Sequence, residues 1–239
     1  MSGSRVKIIS GFPPEFSTDI KVGDVTFHVQ TEDMGLRAAK LASRVYREGE
    51  VVFARQEPYP KAESEAGLEG LVKERMKELH QAVIRDFLDE EKNRFLRQAE
   101  KLLRRGGGLS ALSVLKEALE RFPDDPLLLS HYGRVLATVG KKPDEGIKIC
   151  SDALGPPGRR QGRPGAFYLN LGKALLGGGR KSEAMQVFRE GFALERENRD
   201  LLWEIKKLGV RRRPIVPFLR RRNPVNKYLG LFLSRLRRR

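Results

Sequence analysis

The sequence predicts an α+β fold, mainly α: a small N-terminal antiparallel β-meander, a three-repeat helical solenoid and a basic C-terminal helix. Three observations predict it. Small residues recur near a 34-residue period, as Ala99, Gly133 and Gly172, then Ala111, Gly146 and Ala184, then Ala118, Ala153 and Gly191. Residues 5–60 set β-prone runs between short turns. Residues 210–239 carry eleven cations and no acid, beside apolar residues at helical steps.

Composition bounds the function. With 239 residues and 39% apolar content, the chain holds one sizeable domain or two small ones. A net charge of +16 makes the surface anion-seeking, which favours nucleic acid, anionic lipid or an acidic partner. The lone Cys150 forbids an intrachain disulfide and fits a reducing compartment. The first residues lack the apolar stretch of a secretory signal, and no uninterrupted apolar window is long enough to span a bilayer. A soluble cytoplasmic protein is expected.

Four stretches follow along the chain. In residues 1–62, runs at 20–22 and 25–29 flank Gly23-Asp24, and runs at 41–47 and 50–56 flank Glu48-Gly49. These read as three or four strands, ended by Pro58 and Pro60. In residues 63–91, Leu68, Leu71, Val72, Met76, Leu79, His80, Val83 and Phe87 fall on one helical face. This helix links the sheet to the repeats and forms its second layer.

Residues 92–209 hold the repeats and a terminal capping helix around Trp203. In the first unit, Phe95, Ala99 and Leu102 precede Gly106-Gly107-Gly108, and Ala111, Leu115 and Ala118 follow, with Pro123 as the close. The second turns at Gly140-Lys141-Lys142-Pro143, and the third at Gly177-Gly178-Gly179. Small residues where helices cross let backbones approach, and Leu, Phe and Tyr fill the space beside them. Ala99 and Gly133 are 34 residues apart, but Gly133 and Gly172 are 39 apart, which locates an insertion at 155–165. Residues 210–239 form the basic amphipathic tail, with Val225, Tyr228, Leu229, Phe232, Leu233 and Leu236 on its apolar side.

This pattern resembles the tetratricopeptide repeat over about 105 residues, with Gln98 in place of Tyr132 and Leu171, and Arg196 in place of the closing proline. The resemblance implies a partner-binding groove lined by the first helix of each unit. Equivalent positions there are Arg97, His131 and Asn170, then Arg134 and Lys173, with Arg104 nearby. Such a lining favours an acidic peptide or an exposed carboxylate. It does not reproduce the two-carrier carboxylate clamp of chaperone-binding members.

Other constellations carry little chemistry. Residues 172–182 are glycine-rich, but Gly178 stands where a phosphate-loop lysine belongs, and the repeat register accounts for them. His28 with Glu32 and Asp33 lacks further metal ligands, and Cys150 falls in the packing slot of Leu115 and Phe188. No catalytic residue, metal site or cofactor is expected, and no enzyme activity. The tail offers Arg211, Arg212, Arg213, Arg220, Arg221, Arg222, Arg237, Arg238 and Arg239 to nucleic acid, an anionic membrane or the chain's own surface.

The chain ends resemble a set of bacterial proteins that pair a small N-terminal sheet with tetratricopeptide repeats. Residues 27–35, 44–54, 213–219 and 223–230 carry the likeness. It implies architecture and a bacterial setting. The reading is a non-catalytic adaptor that binds a protein segment in its groove. The alternative is a nucleic-acid-associated or anionic-membrane-associated protein that uses the tail.

Overall fold

The computed structural model describes residues 6–9, 16–60, 65–155 and 164–209. Its sheet has five strands in sequential order: β1 (Val6–Ile9), β2 (Ser17–Val22), β3 (Val25–Asp33), β4 (Lys40–Arg47) and β5 (Glu50–Pro58). All neighbours pair antiparallel, so it is the expected meander with β1 added. Gly23 at φ +63° turns β2 into β3, and Glu48 and Gly49 at +52° and +85° turn β4 into β5.

Alternation along β3 gives the sheet one buried face. Phe27, Val29 and Thr31 point inward, joined by Ile20, Val22, Leu41, Ser43 and Val45 from the neighbouring strands. The opposite face, with Asp19, His28, Gln30, Glu32 and Arg44, is polar.

Helix α1 (Glu65–Arg104) covers the inner face. Its 40 residues make a rod of roughly 60 Å at the usual rise. The linking helix and the first repeat helix are therefore one element. Nothing between Leu71 and Arg104 is proline or glycine, so no break arises at 91/92. Leu79, Val83 and Phe87 press on the sheet, and Phe27 and Phe87 meet edge to face at 4.7 Å. Beyond them, Phe95, Leu96 and Ala99 of the same helix pack within the repeats.

Polar groups are buried in this layer too. His80 contacts Thr18 Oγ1 through Nε2 at 2.8 Å and Thr31 Oγ1 through Nδ1 at 2.9 Å. Thr31 donates onward to Ser43 Oγ at 2.7 Å. Every member of this chain is satisfied, so it fixes the register of helix on sheet at little cost.

The repeats follow as α1 with α2 (Gly108–Arg121), α3 (Pro126–Thr138) with α4 (Pro143–Leu154), and α5 (Pro164–Gly177) with α6 (Lys181–Leu194). α7 (Arg199–Gly209) caps them. Gly106 at φ +80° closes α1, and Asp125 accepts from the Leu127 and Leu128 amides at the head of α3, ahead of Pro126.

The small-residue ladder sits where helices cross. A Cβ on Gly133 would lie 2.7 Å from the Gly146 carbonyl and 2.8 Å from Cys150 Sγ. Gly146, Gly172 and Gly191 are equally tight against α3, Phe188 and Tyr168. Of the nine ladder residues only Ala153 is not buried. In the second unit the left-handed turn falls on Lys141 at φ +57° rather than on Gly140, which lies against Leu136.

Two hydrophobic clusters result. One runs from the sheet through α1 and α2 to Val135, and the other from Ala137 through α5 and α6 to Leu201. Among the described residues, no helix is long and apolar enough to cross a membrane. The expected tail at 210–239, its nine named arginines included, and the arginines of the 155–165 insertion lie outside the described residues.

Candidate functional site

The first helices of the units share one side of the array. α3 packs closely on α5, whereas α4 makes no comparable contact with α2 or α6. α1, α3, α5 and α7 therefore line the inner side of the curve, where a solenoid presents its concave surface.

A row of charged and polar side chains lies there. Arg134 of α3 donates through Nη2 to Glu100 Oε1 of α1. His131 Nδ1 is 3.5 Å from the same oxygen. Together His131 and Arg134 hold the Glu100 carboxyl at about 2, against the opposing effect of burial. Burial pushes the His131 imidazole below its ordinary value, and Arg134 and Lys173 add to this, so it is neutral at physiological pH.

Lys173 of α5 continues the row. Its ammonium is 3.9 Å from Glu204 Oε1 of α7, beyond hydrogen-bond distance. Burial lowers its pKa first, and Arg134 next, while Glu204 opposes both. Glu204 is itself buried, and its Oε2 has no hydrogen-bond partner among the described residues, the Lys207 ammonium standing 3.8 Å away.

The expected groove residues are thus divided. Arg134 and Lys173 lie in the row, with His131 beside them. Asn170 is buried at 2% exposure and donates to Ser130 Oγ at 3.0 Å, so it ties α5 to α3 instead of facing a ligand. Arg97 is exposed and paired with Glu90 at 2.6 Å on its own helix. Arg104 is exposed in the last turn of α1.

Sequence reading missed the two acids of the row. Glu100, Arg134 and Lys173 each directly follow a ladder residue, Ala99, Gly133 and Gly172, so the register itself marks Glu100 as their equivalent. Glu204 has no such signal, because the capping helix does not repeat that spacing.

Elsewhere the placement is structural. His28 holds Asp19 at 2.7 Å on the exposed sheet face and contacts Ser17 at 3.2 Å, apart from Glu32, which pairs with Arg44. No group of metal-binding type occurs among the described residues. The Cys150 thiol donates to the Ser130 carbonyl, and burial pushes its pKa up to about 12, far from a reactive thiolate. Residues 172–182 form the end of α5, a turn at Gly179 (φ +77°) and the start of α6.

The helical part is a tetratricopeptide-type array. That statement rests on the recurring crossings at Gly133, Gly172 and Gly191 and on the inner row of first helices. Two solved structures are similar to it. The second TPR domain of human RPAP3, in complex with the HSP70 peptide SGPTIEEVD, is 19% identical with a TM-score of 0.38, over 49% of this chain and 93% of that one. The first TPR of Spaghetti (RPAP3), bound to the HSP90 peptide SRMEEVD, is 18% identical with a TM-score of 0.39, over 50% of this chain and 90% of that one. No protein-family model matches the chain, and no curated protein does.

Proposed function

We propose that this protein is a non-catalytic interaction adaptor that holds a segment of a partner protein along the inner row of its repeats. One observation supports the reading: Glu100, Arg134 and Lys173, on the first helices of the three units, and Glu204, on the capping helix, lie along one side of the array. A side chain or chain end that reaches it meets both donors and acceptors on a rigid scaffold.

The occupant expected is a segment bearing a carboxylate, seated at Lys173. Arg134 is already engaged by Glu100, whereas Lys173 is half-buried, cationic and beyond hydrogen-bond distance of its acid neighbour. An incoming carboxylate would restore what burial costs that ammonium. The sheet then acts as a module that completes the first unit, since its core is continuous with α1 and α2.

A peptide array of graded charge tests this, with the full chain and its Lys173→Glu variant as probes. Capture of acidic peptides by the wild type and their loss in the variant, at unchanged melting temperature, supports the reading. Equal capture by both proteins, or no charge preference, removes it.

A further inference from the structure

We propose that the cavity between the sheet and the first repeat binds a small organic anion, an apolar body that bears a phosphate or carboxylate. The space measures about 310 Å³ and lies where the start of β3 and the end of β4 face α1 and α2. Phe27 and Phe95, both buried, give it apolar lining. Arg47, Arg94 and Arg121 line it from three different elements.

On α1, Glu91, Arg94, Phe95 and Gln98 follow at steps of three and four, so they share one helix face. Glu100 lies about half a turn further round, which separates the cavity from the charged row of the array.

The repeat register marks the place. Gln98, Tyr132 and Leu171 each directly precede a ladder residue. Tyr132 and Leu171 pack with the two hydrophobic clusters, whereas Gln98 is exposed at the cavity. The packing pattern is broken at the slot that borders an open space, and such breaks concentrate at binding sites. A junction between modules is also where ligand pockets form.

The guanidinium groups are set for an oxyanion. Arg121 lies 5.1 Å over the Phe95 ring and donates to Glu117 at 2.9 Å. Its stem runs against Gly23, where a Cβ would come within 3.2 Å. Arg94 donates at 2.9 Å to Glu91, whose side chain is largely buried. Each carboxylate holds one guanidinium nitrogen in place and leaves other N–H donors of the fork available. Arg47 Nε stands 3.9 Å from Glu48, beyond hydrogen-bond distance. Three cations against two engaged acids favour an anion, and planar forks match the paired oxygens of phosphate or carboxylate. The buried rings select an apolar body on the same molecule, because a bare ion would leave that lining unused.

The full chain is titrated with phenyl phosphate, benzoate, inorganic phosphate and phenol, followed by its amide and arginine Nε–H resonances. Arg47→Ala and Gln98→Glu are titrated beside it. The expected shifts centre on Arg47, Phe95 and Arg121 with either aromatic anion, and the tighter of the two names the oxyanion. Each variant weakens that binding at least about tenfold at an unchanged melting temperature.

Four results overturn the proposal. Shifts confined to residues outside the cavity, or equal affinity in both variants, would move the anion elsewhere on this cationic chain. Phenol binding as tightly as phenyl phosphate would show that the arginines take no part. Inorganic phosphate binding as tightly as the aromatic anions would remove the apolar body. No shift with any of the four probes at millimolar concentration would leave the cavity without an anion.

Discussion

The sheet layer and the repeat array share α1 but are held together by opposite means. In the sheet layer, large side chains and a bonded polar chain fill the gap between helix and strands: Phe27 on Phe87, and His80 between Thr18, Thr31 and Ser43. In the array the gap itself is removed, because Gly133 and Gly146 bring α3 and α4 into backbone contact. The difference is one of tolerance. A side chain can turn or be replaced by one of like volume, whereas a backbone has nowhere to go.

The largest effect should come from adding volume at that contact. Gly146→Val drives a side chain into the Gly133 carbonyl and the Ala137 backbone, at a cost of about 3 kcal/mol or more, read as a lowered denaturation midpoint. Hydrogen exchange should loosen α3 and α4 first and leave β3 and β4 protected. Equal loss in both regions would show that they fold as one unit through α1.

Next in size is Glu100→Ala, which leaves the nearly buried Arg134 without its carboxylate. A loss of about 2 kcal/mol is expected in urea melts, with Arg134→Met on the same background recovering part of it.

Thr31→Val in the sheet layer removes the hydroxyl between His80 and Ser43 while keeping shape. About 1–2 kcal/mol should be lost, with β2, β3 and α1 loosened and α3 to α7 unaffected. If this substitution proves as costly as Gly146→Val, the contrast in tolerance fails.

Acid separates the regions further. Burial, with the His28 charge second, holds His80 below its ordinary pKa, and burial does the same to His131. The unfolded chain therefore takes up these protons first, below about 6.5. Stability is full above that pH and falls as pH drops toward the lowered native values. Glu100 acts later: its contribution is complete above its ordinary 4.5 and is lost as pH falls to about 2. His80→Gln should flatten the first phase in the sheet layer, and His131→Gln in the array, as followed by pH-dependent melting.

The smallest effect belongs to the exposed tie between sheet edge and helix. Arg55 of β5 reaches Asp86 of α1 at 2.8 Å, and Arg55→Ala should stay within about 1 kcal/mol and vanish in high salt.

These contrasts explain what could be read in advance. The ladder was legible because close helix crossings demand small residues at a fixed spacing, and that demand recurs with each unit. The β-meander was legible from its turns, since Gly23 and Glu48-Gly49 mark the two tight connections. The continuity of α1 across 91/92 is written in the sequence only as an absence of breakers, with no positive signal to mark it. His80 fell on an apolar face by spacing, with nothing in its neighbours to announce two threonines forty-nine and sixty-two residues away.

The site was less legible than the fold. Arg134 and Lys173 followed from the register, but Asn170 shares a slot with Arg97 and His131 and faces the interior. One slot covers exposed and buried positions because the packing around each unit differs: Ser130 stands opposite Asn170, and Glu90 beside Arg97.

By itself, then, the sequence determined the repeat, its three units, the meander and the charge of the tail, because periodicity and turn chemistry are local properties. Only the tertiary structure decided that Arg134 is spoken for by Glu100 and that Glu204 is buried beside Lys173. Those facts depend on which surfaces meet when the helices stack, and pairing across units is set by distance in space, not along the chain.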